Sequence, residues 1–490
     1  MNSNAVAFTE LPLRADELLT ALLNLAPSRG VQILDSGGWR GAEARYLIAG
    51  FDPCETVEAR RGGDQLTIWR RGETVGRRER GDVLSLLDER LANYQVPGDG
   101  GSFALSAGAC IASFSYDLAR TFLRLRSTEP PASSPAGPAA TLAFHDALVI
   151  HDYHTGATRV TGASAARLTE TCDALREAAT DARRLVSTSA PPQANTASAA
   201  LTTAVSNFTR DDYLARVRRV KEHIFAGDIY QANLTQQFTC PLAPGDTAEE
   251  VFLRLRRQHP ASFATFLRRG ADTVISASPE RFLRVAVEAD GGRTIEAWPI
   301  KGTRPRGTNA ADDARLRAEL MESEKDQAEN TMIVDLLRND LGRVCRYGSV
   351  EVAELCALQE HPTLFHLVSR VRGQLRPAVT TGELLRATFP CGSITGAPKL
   401  RAMEIIDEME TAPRGLSMGA IGYFAFDGAL DLSVAIRTMV IRDGIACFNV
   451  GGGVVAESDP ALEYDESLVK ARALLRALRA DDGQRTKDFG

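Results

Sequence analysis

The chain has 490 residues, a formal net charge of −6 and 44% hydrophobic residues. That supplies enough apolar material for a sizeable core, and the absence of a long basic run argues against a nucleic-acid-binding protein. Eight cysteines are scattered without a CxxC pair, which argues against a zinc ribbon and fits a reducing, cytoplasmic setting.

Met1 to Glu10 carries an acid and no basic cluster, and Leu18 to Ala26 is apolar but short and interrupted by Asn24. It reads as an amphipathic helix rather than a signal peptide or membrane span, so no membrane association is expected. Strand-like runs follow at Arg45 to Ala49 and Ala147 to His151, separated by a Pro-, Ala- and Ser-rich loop at Glu129 to Ala140. Ala165 to Val186 has apolar residues at helical spacing. Residues 186–204 are Ser-, Ala-, Thr- and Pro-rich without charge, and read as a linker between an N-terminal subdomain, 1–185, and a catalytic region, 205–480, with a tail at 481–490.

The catalytic region opens on a helix at Phe208 to Phe225, begun by Thr209 and Asp211. Leu316 to Leu341 reads as one long helix. Gly419 to Phe426, Leu432 to Ile441 and Ile445 to Val450 read as a three-stranded antiparallel meander, turned at Asp427-Gly428 and Asp443-Gly444. A last helix spans Ala461 to Arg479, with Asp459 as cap and Pro460 at its first position. Strands and helices do not alternate strictly, which predicts an α+β fold with antiparallel sheets.

Five segments carry chemistry: Tyr230-Gln231-Ala232-Asn233-Leu234, Ser278-Pro279-Glu280-Arg281-Phe282, Pro299 to Arg306 around Lys301, Gly392 to Lys399, and Gly451-Gly452-Gly453. Lys301 lies close in sequence to Arg304 and Arg306, and an amine held near cations loses its proton more easily and becomes a nucleophile. Asp326 and Glu329, and Glu463 and Glu466, are each three apart on a helix, so each pair can aim carboxylates at one point. Such a pair alone usually lies on a solvated face; two pairs on neighbouring helices suit a hard cation such as Mg2+. The glycine clusters lack the GxxxxGK[ST] and GxGxxG spacings of nucleotide loops. His366 sits in an apolar run, where a lone histidine is more often a core residue.

Together these segments resemble the chorismate-utilising enzymes, densely over 205–480 and more thinly before. The resemblance implies two antiparallel sheets packed as a sandwich with flanking helices, and chorismate bound in the cleft between them. It further implies Glu280 as the general acid on the C4 hydroxyl, His366 near the ring, and Mg2+ held by Glu329 and Glu466, with Glu463 and Asp326 as further candidates. The shorter side chain of Asp326 suggests a supporting role. Thr395, Tyr423, Arg437, Gly452, Gly453, Lys470 and Gln231 take the places of substrate-binding residues. Leu34 and Ser36, in Gln32 to Ser36, resemble part of a tryptophan pocket.

Members of the family differ in the nucleophile. Water-adding members carry a lysine base where Gln231 stands, and an amide cannot serve. Anthranilate-forming members carry alanine where Lys301 stands. Lys301 resembles the branch in which the amine attacks C2 as the C4 hydroxyl leaves, after which ammonia attacks C4 and expels the lysine. No cysteine lies in a GxCxGxQ context, Cys110 coming nearest, so ammonia is expected from a separate glutamine amidotransferase subunit. An anthranilate-forming enzyme and a non-catalytic chorismate- or tryptophan-binding protein remain the alternatives.

Overall fold

The computed structural model describes residues 7–38, 45–95, 105, 108–126, 137–188, 202–360 and 364–481. Most expected elements form. The first helix, Ala15–Asn24, buries Leu18, Leu19, Leu22 and Leu23 on one face, as its apolar spacing requires. The run from Ala165 extends as a helix to Thr188. Thr209 caps Arg210–Phe225 by accepting from the Asp212 N–H. Asp459 caps Pro460–Leu478 through the Ala461 and Leu462 N–H groups. The greater part of the linker, 189–201, and nearly all of the tail lie outside the described residues.

Leu316 to Leu341, expected as one helix, is two: Ala310–Met321 and Glu324–Gly342. The break falls at Ser323, whose hydroxyl accepts from the Asp326 N–H and starts a new helix. Asp326 and Glu329 therefore sit near the N-terminus of the second helix.

The described strands build two large twelve-stranded sheets, whose pairings are antiparallel. In each sheet five strands come from before residue 189 and the rest from after 201, so the compositional break is not a break in the sheets. The seams are Gln32–Asp35 against Phe263–Arg269 in one sheet and Ala109–Phe114 against Ala420–Ala425 in the other. The sheets face each other through a shared apolar cluster that includes Ile48, Leu148 and Val274 from one and Ile111, Ile421 and Ala425 from the other. Among the described residues no helix is long and apolar enough to cross a membrane.

The expected meander is corrected in an instructive way. Asp427-Gly428 and Asp443-Gly444 do turn hairpins, Ala420–Ala425 with Leu430–Val434 and Thr438–Arg442 with Ile445–Val454. Asp443 and Gly444 both have positive φ, 50° and 73°, the signature of a type I′ turn. The run Leu432 to Ile441, however, is not one strand. It leaves one sheet after Val434 and enters the other at Thr438, the change made where Arg437 takes a left-handed φ of 48°. A second crossing joins the same two sheets at Pro279-Glu280, between Asp272–Ser278 and Arg281–Val287. The two crossings are tied together: Val434 N–H donates to Glu280 O at 3.0 Å, Ala277 N–H to Arg437 O at 3.0 Å, and Ser278 Oγ to Val434 O at 2.6 Å.

Candidate active site

Each crossing carries an ionisable side chain, Glu280 on one and Arg437 on the other, and the two interact. Glu280 is 4% exposed and its Oε1 has no partner among the described residues. Burial pushes its carboxyl up to about 7, against the smaller opposing pull of Ser393, Lys301, the Ile300 N–H and Arg437. Burial likewise lowers the pKa of Arg437, whose charged neighbour is Glu280. A carboxyl that keeps its proton near neutrality can act as an acid.

Lys301 comes from the edge strand Ile300–Pro305. Its Nζ lies 3.8 Å from Glu329 Oε2. The basic surroundings expected from Arg304 and Arg306 do not form. Gly302, at φ 77°, and a register shift between Lys301 and Thr303 turn the strand. Arg304 pairs with Glu319 at 2.8 Å and Asp326 at 3.3 Å. Arg306 engages Asp313 and stacks 4.5 Å above the Phe365 ring. Carboxylates, not arginines, are the charged neighbours of the amine.

The two acidic helices meet here. A methyl group added to Gly452 would lie 3.0 Å from Glu463 Oε2, 3.6 Å from Lys470 Nζ and 3.7 Å from Glu466 Oε1. One added to Gly453 would lie 2.4 Å from Gln231 Nε2 and 3.4 Å from Lys301 Nζ. Glycine at both positions lets these side chains close on the backbone; a side chain at Gly453 would collide with the Gln231 amide. Burial raises the pKa of Glu329 and of Glu463. Burial acts the same way on Glu466 and is the largest single influence, but the ammonium groups of Lys470, 2.8 Å away, Lys325 and Lys301 together outweigh it and hold that carboxyl low. Lys470 also donates to Gly451 O at 2.9 Å.

The donor set fits a hard cation. It is all oxygen and carboxylate, and positive charge is already drawn between the helices. Lys325 Nζ stands 3.9 Å from Glu329 Oε1 and 3.9 Å from Glu463 Oε1. No cluster of three or more potential metal ligands is closed among the described residues. Magnesium suits such an open set, since it takes one or two carboxylates and fills the rest with water and substrate oxygen. Asp326 accepts from Arg304 Nη2 at 3.3 Å.

Other expected site residues divide. Gln231 is fully buried, and both its amide atoms lack hydrogen-bond partners among the described residues. His366 sits on the strand next to Lys301's, with Nδ1 2.8 Å from Thr303 Oγ1. Thr395 spends its hydroxyl on Cys391 O and Gly392 O, at 3.1 and 3.3 Å. Within that loop it is Ser393 that lies against Glu280, a residue the motif contained but its spacing did not single out. Tyr423, expected on the substrate wall, lines a cavity with Leu34, Ser36, Phe263, Arg281 and Asp431. Arg281 holds Asp431 with two hydrogen bonds, 2.9 and 3.0 Å, and directly follows Glu280.

A buried acid, an amine and converging carboxylates thus gather near the point where the two sheets exchange strands. The chain belongs to the chorismate binding enzyme family, whose model matches residues 35–476, and it is a chorismate-utilising enzyme. It is 35% identical to anthranilate synthase component 1 of Pseudomonas aeruginosa, over 97% of this chain and 96% of that protein. It is 36% identical to aminodeoxychorismate synthase component 1 of Klebsiella aerogenes, over 97% of this chain and 99% of that protein. The solved anthranilate synthase component I from Streptococcus pneumoniae superposes with a TM-score of 0.72 at 27% identity, covering 89% of this chain and 93% of that one. The menaquinone-specific isochorismate synthase of Escherichia coli shares the fold, with a TM-score of 0.67 at 16% identity.

Proposed function

We propose that this enzyme aminates chorismate at C4 to give 4-amino-4-deoxychorismate, with ammonia from a separate glutamine amidotransferase subunit. The observation that carries the reading is the Lys301 amine, 3.8 Å from Glu329 and beside Gly453 and Gln231, with the buried Glu280 carboxyl near it. The Lys301 amine, in its unprotonated form, attacks C2 of the ring. The C2–N bond forms, both ring double bonds shift one position toward C4, and the C4–O bond breaks as Glu280 gives its proton to the departing hydroxyl, which leaves as water. Ammonia then attacks C4 and returns a proton to Glu280, both double bonds shift back, and the C2–N bond breaks to release the Lys301 amine. The enolpyruvyl group is retained. Covalent capture divides one hard displacement into two easier ones.

Glu329 and Glu466 are the residues that would hold Mg2+, with Glu463 beside them. When bound, the metal neutralises the ring carboxylate of the substrate. Glu329→Gln or Glu466→Gln should lower turnover by more than the roughly 10–100-fold typical of losing a second-shell partner, and should weaken Mg2+ binding in calorimetry. Near-normal activity at ordinary magnesium in either variant would remove that residue from the ligand set.

Product identity tests the reading. The pure chain with chorismate, magnesium and ammonium salt at alkaline pH should form 4-amino-4-deoxychorismate, and glutamine in place of ammonium should give nothing. Anthranilate with release of pyruvate would support the second reading, which the similarity to anthranilate synthase favours. Turnover of glutamine by the chain alone would contradict the separate ammonia source.

A further inference from the structure

Along the strand Gln231–Pro241 side chains alternate between faces. Ala232 and Leu234 join an apolar cluster with Tyr213, Ile405 and Tyr464. Gln231 and Asn233 therefore share the opposite face. Asn233 pairs in register with Gly453, the glycine whose missing side chain lets the Gln231 amide lie against the backbone with Lys301 Nζ beside it. Cross-strand partners have Cβ positions about 5 Å apart, so the Asn233 amide reaches the same place.

The backbone of Asn233 is fully engaged. Its N–H donates to Thr395 O at 2.8 Å and its carbonyl accepts from Arg414 Nη2. Its side chain is different. Asn233 is 6% exposed, and Nδ2 is buried with no acceptor among the described residues. Both amide atoms of Gln231 and Oε1 of Glu280 are in the same state. A buried donor without a partner weakens a fold, and such groups are few in native proteins. Their gathering around one space marks partners that a ligand supplies.

We infer that Asn233 is a substrate-binding residue whose amide N–H donates to an oxygen of the bound dicarboxylate. The inference rests on the reading of this cleft as the chorismate site, and adds a residue that reading did not include. An apolar residue of similar size would serve the empty fold as well or better.

The full chain carrying Asn233→Leu, and separately Asn233→Ala, is assayed with magnesium and ammonium. KM for chorismate, kcat, product identity and the thermal midpoint without ligand are measured. Expected is a KM raised about ten- to a hundredfold, with the ligand-free midpoint unchanged or higher for Asn233→Leu and the product unchanged. A KM within about twofold of the parent in both variants would overturn the assignment. So would a KM rise accompanied in both by a fall in midpoint, which would place the amide in the fold's own hydrogen bonding. If the parent makes anthranilate, the C4 reading fails while the KM comparison still decides the role of Asn233.

Discussion

Glu280→Gln is expected to stabilise the ligand-free protein at pH 8 by about 3 kcal/mol while removing nearly all turnover. Burial raises this carboxyl from its ordinary 4.5 to about 7 in the folded chain. In the unfolded chain it titrates near its ordinary value. Below that value both states carry the proton and burial costs nothing by this route. As pH rises, the unfolded state ionises first and gains relative to the folded one, so stability is lost until the folded carboxyl has itself titrated near 7. An amide of the same shape has no such loss. The stability of Glu280→Gln relative to the parent should therefore be near zero at pH 4 and grow to its full value by pH 8, read from denaturant midpoints across that range. Turnover should fall by roughly 10²–10⁴, the usual worth of a general acid. In the parent, turnover at constant free ammonia should decline as pH rises through about 7, where Glu280 gives up its proton. A stability difference that does not change with pH would show that burial of a carboxyl is not what shifts Glu280.

Lys301→Ala and Lys301→Arg should change what the enzyme makes as well as how fast. Alanine removes the nucleophile and opens space beside Gly453, so C2 becomes accessible to ammonia or water and product should shift toward C2 substitution. Arginine keeps a positive charge but stays protonated, with a pKa of roughly 12.5 or more, and cannot attack. It should yield no C4-aminated product above the level of the alanine variant. A lysine that only neutralised charge would tolerate arginine with partial activity, so product analysis of the pair separates the two roles.

Local chemistry was the legible part of this chain. Asp-Gly turns, the Thr209 and Asp459 caps and the helical spacing of the acidic pairs each depend on a few neighbouring residues, and each formed as read. What escaped depends on tertiary geometry. Leu432 to Ile441 alternates like one strand, and nothing local marks the change of sheet at Arg437. Ser323 caps a new helix inside a continuous helical pattern. Arg304 and Arg306 are close to Lys301 in sequence, yet one glycine with positive φ turns them to other partners. The parts played by Ser393 and Asn233 emerge only where their loop and strand meet Glu280 and Gly453.

The covalent role of Lys301 is tested most directly by peptide mass. The enzyme is mixed with chorismate and magnesium, without ammonia, quenched in acid and digested. The account predicts that the peptide containing Lys301 gains the mass of chorismate less one water, and that adding ammonium before the quench discharges it as 4-amino-4-deoxychorismate appears. An unmodified Lys301 peptide, together with substantial 4-amino-4-deoxychorismate from Lys301→Arg, would contradict it.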